Sequence, residues 1–125
     1  MNLLLKFDSL FCFENNYYIV LELKAFKKEK EFALKIIDEI VNKYPEKIER
    51  IRNSFTISVK FEQEFLINLL FYLILNYNLT LKINNEVIRI KNYNNDNYLK
   101  ICCLIEEFIK IETVRINNDS NFFKK

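Results

Sequence analysis

Apolar and polar residues alternate in the segment YYIVLELKAF, Tyr17 to Phe26. Ile19, Leu21, Leu23 and Ala25 fall on one side; Tyr18, Val20, Glu22 and Lys24 fall on the other. A period of two marks a strand with one buried face. The preceding NLLLKF and LFCF supply partners for it, with Asn15-Asn16 as the hairpin turn. The period then changes. In KKEKEFALKIIDEIVNKY, Phe32, Ile36, Ile37, Ile40, Val41 and Tyr44 recur at helical spacing, opposite Lys35, Asp38, Glu39 and Asn42. This predicts a helix that Pro45 ends.

Residues 46–53, EKIERIRN, fit two readings. The spacing of Ile48 and Ile51 suits a helical turn, whereas Arg50, Arg52 and Asn53-Ser54 suit the first arm of a hairpin. SFTISVKF is a clearer strand, with Phe55, Ile57, Val59 and Phe61 inward and Thr56, Ser58 and Lys60 outward. EQEFLINLLFYLILNY predicts a second helix. Its polar stripe of Glu64, Asn68 and Tyr72 is so narrow that the helix must be covered on more than one side. LTLKI and VIRI flank Asn84-Asn85 as a strand pair. KNYNNDNY is a loop with Asn95 or Asp96 as helix cap, and a third helix follows to about Glu112. TVRI is a short strand or simply an end, and NNDSNFFKK a loose tail.

The pattern predicts an α+β fold: an antiparallel sheet with about three helices mostly on one face. The middle of the chain has the βαββαβ order of ferredoxin-like folds. The length, 125 residues, suits one domain with one real core. We place that domain at 1–116 and a flexible C-terminal tail at 117–125.

Composition narrows the chemistry. With no Gly, no Gly-rich phosphate loop can form, and positive-φ turns fall to Asn or Asp. With no His, Ser-His and Cys-His arrangements are excluded and the commonest metal ligand is missing. Net charge is +2, too small to draw a general polyanion binder except through a local patch. Three cysteines and no signal-peptide pattern in MNLLLKFDSLFCF point to a reducing, cytoplasmic setting. The longest apolar run, Phe65 to Tyr77, is interrupted by Asn68 and falls short of the roughly 20 residues a membrane span needs.

Two cysteines stand side by side in LKICCLIEEFIK. On a helix Ile101, Cys102, Ile105, Phe108 and Ile109 share one face, with Tyr98 above them; Lys100, Cys103, Glu106, Glu107 and Lys110 share the other. Cys102 therefore faces the core and Cys103 solvent, which argues against a vicinal disulfide or a metal site. Lys100 and Lys110 favour a thiolate at Cys103, and Glu107 opposes it. The carboxylate pairs Glu29 with Glu31, Asp38 with Glu39 and Glu62 with Glu64 sit among lysines or at helix starts, where acids favour the helix dipole. No cofactor or metal is implied.

Two classes of function follow by elimination. The first is a small intracellular, non-enzymatic binding protein acting by contact with another protein or a second copy of itself, as inhibitor, immunity-type or adaptor proteins do. Its expected interface is Phe71, Tyr72 and Leu75 of the second helix with Phe122 and Phe123 of the tail. The alternative is an RNA or single-stranded nucleic-acid module using an open, basic sheet face that carries Tyr18, Lys24, Thr56, Ser58, Lys60, Lys82 and Arg89. Lys47, Arg50 and Arg52 form a second basic cluster. The RNA-recognition signature itself is absent, since Phe55 and Phe61 share their side with Ile57 and Val59. An enzyme using a carboxylate or a thiol ranks third.

Overall fold

The computed structural model describes residues 3–52 and 55–123, the side chains of 119–123 excepted. The elements run β1 (Leu4–Phe13), β2 (Asn16–Lys24), α1 (Lys30–Lys43), β3 (Ile48–Arg50), β4 (Thr56–Lys60), α2 (Gln63–Tyr77), β5 (Thr80–Ile83), β6 (Glu86–Ile88) and α3 (Asn95–Phe123). Together they form the expected α+β architecture. The strands make one sheet in the order β3-β4-β2-β1-β5-β6.

Two features of that sheet depart from expectation. It is mixed, because β1 runs parallel to β5 through Leu4–Thr80, Leu5–Leu81 and Lys6–Lys82. Its order is also not ferredoxin-like. The sequence β2-α1-β3-β4-α2-β5 is present, but β1 stands between β2 and β5, which that fold would make neighbours. Alternation along a strand states which face is buried. It does not state which edge a strand joins.

Glycine-free turns explain the local geometry. Positive φ falls on Asn15, Asn78, Asn84 and Asn85, as the composition demands, and also on Glu14 and Arg52. The β1–β2 hairpin turns at Glu14-Asn15, one residue earlier than predicted, with both at positive φ as a two-residue turn of this hand requires. Asn84-Asn85 does the same for β5–β6. Asn78 ends α2 in the left-handed region, its N–H bonded to the Ile74 carbonyl. The cap of α3 is Asn94, not Asn95 or Asp96: its side-chain oxygen accepts the Asn97 N–H at 2.8 Å. Residues 48–50 are a strand paired with β4, which settles the ambiguous 46–53 segment in favour of the hairpin arm. Asn53 and Ser54, the expected turn, lie outside the described residues.

One cluster forms the core. It joins Leu5, Phe7, Leu10, Ile19, Leu21, Leu23, Ile57, Val59, Leu81 and Ile83 of the sheet to Ile36, Ile37 and Ile40 of α1 and to Ile101, Ile105 and Phe108 of α3. All three helices cover the same face. α2 is buried on several sides, through Leu66, Ile67, Leu70, Leu73 and Ile74, as its narrow polar stripe implies. The third helix does not end near Glu112 but runs on through TVRI to Phe123. Glu112 and Arg115 hold this extension against β1. The Leu10 N–H donates to Glu112 Oε1 at 3.0 Å, and Arg115 Nη2 donates to the Leu10 carbonyl at 2.9 Å.

Candidate functional site

The face of the sheet away from the helices is built in rows across the strands. At the hairpin end, Lys60, Tyr18 and Phe11 are register partners. Next come Ser58, Val20 and Ser9, then Thr56, Glu22, Lys6, Lys82 and Val87. Lys24, Leu4 and Thr80 close the far end, where Arg89 joins them around one cleft. Tyr18, Lys24, Lys60, Lys82 and Arg89, grouped from sequence alone, thus share one face.

The middle of this face is closed. Arg52 reaches over β4 and β2 to Asp8 on β1, 2.8 Å from guanidinium to carboxylate, and Ser9 also donates to Asp8 at 3.2 Å. Beneath them Val20 is 0% exposed, and Thr56 and Ser58 are buried. Both residues point outward as predicted, but neither is available to a ligand. Position on the outer face decided their direction; the long charged side chains above decided their exposure.

Charge is unevenly compensated. Lys6, Lys24, Lys60, Lys82 and Arg89 form no ion pair with a described residue. Those of the second basic cluster do: Lys47 with Glu62, Arg50 with Asp38 and Arg52 with Asp8. That cluster is neutralised, while the five outer-face cations have no close ion pair: Glu22 stands opposite Lys6, Glu62 lies near Lys60, and Glu107 and Glu112 line a cleft with Lys6 and Lys82.

An aromatic pair missing from the sequence reading stands among them. Phe11 stacks on Tyr18 with ring centroids 5.1 Å apart and planes at 14°. Phe11 is 37% exposed and Phe13 58%. Unbroken alternation from Phe7 would bury both. The register instead shifts between Phe7 and Ser9, leaving Asp8 as an extra residue, and this bulge carries Phe11 and Phe13 to the outer face. Asp8 and Ser9, two successive polar residues inside an apolar run, were the local signal.

Among the described residues, the expected protein-contact residues Phe71, Tyr72 and Leu75 do not form a patch. Phe71 is 3% exposed and packs edge-on against Tyr93, centroids 4.6 Å apart, so the loop before α3 covers it. Tyr72 is turned toward α1, its hydroxyl donating to Glu39 Oε1 at 2.7 Å, while the Tyr77 hydroxyl donates to Oε2. Leu75 is exposed, without Phe71 beside it on the surface. The side chains of Phe122 and Phe123 lie outside the described residues. The two tyrosine hydroxyls hold the Glu39 carboxyl below its ordinary range, Tyr77 contributing most. Because the folded-state value is depressed, this tie stabilises above the ordinary carboxylate range and is lost as pH falls through the folded value. Glu39→Gln is therefore expected to narrow the difference between urea midpoints measured at neutral pH and at pH near 3. An unchanged difference would mean that the two tyrosine hydroxyls do not stabilise the Glu39 carboxylate.

Cys102 is buried, with the Gln63 amide 3.7 Å from its sulfur, whereas Cys12 and Cys103 are exposed. Two thiols are expected to react at once with a chromogenic disulfide and the third only on unfolding. Immediate reaction of all three would show that the Cys102 side of α3 opens. Among the described residues, no group of three or more potential ligands is placed to hold a metal ion.

The molecule is thus an α+β domain with one sheet face sealed by three helices and the other left as a basic, aromatic-tipped surface. No protein-family model, curated protein or solved structure matches the chain. Among the described residues, no helix is long and apolar enough to cross a membrane.

Proposed function

We propose that this protein binds single-stranded nucleic acid on the outer face of its sheet, acting by contact. One observation carries the reading: five cations without ion pairs share a face with a stacked, part-exposed Phe11–Tyr18 pair. Phosphates suit the lysines, and bases suit the open ring of Phe11, since stacking on an aromatic tolerates any base. Tyr18 and Lys24 lie about 20 Å apart along β2, at about 3.3 Å per residue, a run that accommodates roughly 4 nucleotides. An intracellular, reducing location suits the three free thiols.

The test is fluorescence anisotropy with labelled dodecauridylate. Binding is expected at about 50 mM salt and should weaken steeply toward about 200 mM. No binding at the lower salt would overturn the reading.

A second reading has its own support. Phe11, Phe13 and Tyr17 leave an exposed aromatic tip on the β1–β2 hairpin, and aromatics of this kind anchor protein interfaces. An inhibitor, immunity-type or adaptor protein would use that tip, not α2. A stable homodimer that Phe13→Ser dissociates, with no affinity for the oligonucleotide, would favour it.

A further inference from the structure

We propose that the groove at the Lys24 end of the sheet is a nucleotide site, holding a terminal phosphate between Lys24 and Arg89 with a base against Phe26. The ligand class rests on the nucleic-acid reading above; the site rests on its own geometry. Two clefts, of about 320 and 330 Å³, meet at Lys24 and Ala25. Each is within the usual range for small-ligand sites, about 300–1,000 Å³.

The first cleft carries the chemistry. Lys24 and Arg89 line it, with Thr80 and the apolar Leu3 and Leu4, and no acidic residue does. Neither cation has an ion-pair partner among the described residues. Two cations facing one cleft without a carboxylate favour an anion, and Arg adds the forked donor that matches phosphate oxygens. Phe26 stands at the same cleft. It is 60% exposed and touches no other ring among the described residues.

Its position is fixed by the chain around it. Phe26 lies two residues beyond the end of β2 in extended conformation, and its carbonyl accepts the Glu29 N–H at 2.8 Å, opening the turn that leads into α1. A large flat apolar ring held beside two unpaired cations matches the two halves of a nucleotide, one flat and apolar, the other anionic. In the second cleft Lys30 extends the positive wall and Glu22 limits it, which places the phosphate on the Arg89 side.

A terminal phosphate can come from a free nucleotide or from the end of a strand. Amide NMR spectra of the full chain are titrated with adenosine 5′-monophosphate, with adenosine and inorganic phosphate as separate controls. Shifts are expected around Lys24, Phe26 and Arg89, with each control at least about tenfold weaker. Phe26→Ala should weaken the nucleotide about tenfold or more, as loss of one stacked base does. Lys24→Gln with Arg89→Gln should abolish it, and Lys47→Gln, outside the groove and paired with Glu62, should leave it unchanged. All four residues are at least partly exposed, so these variants are expected to fold.

Dodecauridylate with and without a 5′-phosphate separates the sources. Tighter binding of the phosphorylated strand, lost in the Lys24 and Arg89 variant, assigns the groove to strand ends. Equal strand affinities with clear nucleotide shifts assign it to free nucleotide. No nucleotide shifts and equal strand affinities overturn the inference and leave the outer-face reading standing. Nucleotide binding without strand binding does the reverse.

Discussion

Replacing both Glu112 and Arg115 by alanine is expected to lower the urea midpoint by about 1 M and to make the chain self-associate as its concentration rises. The reason lies at Leu10. β1 pairs with β5 only through Leu4, Leu5 and Lys6, so its second half has no strand on that side. Glu112 Oε1 accepts the Leu10 N–H, Arg115 donates to the Leu10 carbonyl, and Arg115 Nε donates to Glu112 at 3.2 Å. Two side chains of a helix thus stand where the backbone of a neighbouring strand would be.

The Glu112 side chain is only 12% exposed, so its loss leaves a poorly solvated N–H. A hydrogen bond to a charged group contributes about 1.5–3 kcal/mol, and domains of this size lose about 1–3 kcal/mol per molar urea. Arg115 is more exposed and adds less. The freed edge adjoins Phe11 and Phe13, which favours pairing between copies. Light scattering over a concentration series reads the association, and urea titration reads the stability. A variant with both properties unchanged would mean that water satisfies Leu10 equally well.

The second large effect is on binding. Lys24→Gln, Lys60→Gln and Arg89→Gln together are expected to remove most affinity for dodecauridylate and to flatten its salt dependence. Each phosphate contact to a single strand contributes about 0.7 to the slope of log K against log salt, so three lost contacts reduce it by about 2. The three residues lie at both ends of the outer face and have no ion pairs to lose among the described residues. Stability should therefore barely change. Lys47→Gln serves as the control, because Glu62 already neutralises that lysine. A slope that falls equally in the control would show that only net charge matters. An unchanged slope in the triple variant would place the strand elsewhere.

Much of this was legible in the residues. Alternation in β2 and β4 fixed which side chains face the helices, and so put Tyr18, Lys24 and Lys60 on one surface, which Lys82 and Arg89 join through the pairing of β5 with β1 and β6. The helical phase of α3 separated Cys102 from Cys103. These are local consequences of backbone geometry, and periods of 2 and 3.6 carry them directly.

What depended on distant contacts was not legible. Phe71 stood beside the polar stripe of α2 as a surface candidate, and Tyr93, 22 positions later, covers it. Phe11 and Phe13 changed faces because one residue of β1 bulges, a choice made by pairing with β2 and not by β1 itself.

By itself, then, the sequence determined the type of most elements, the buried face of β2 and β4, the use of Asn at most positive-φ positions, and the absence of histidine and glycine chemistry. Only the tertiary structure decided the strand order, the parallel β1–β5 pairing, the roof that Arg52 and Asp8 make over the sheet, and the guard that Glu112 and Arg115 place on Leu10. The division has one physical cause. Periodicity reports how a residue is oriented on its own element, whereas edge, cover and ion-pair partner are set by segments that meet only when the chain is folded.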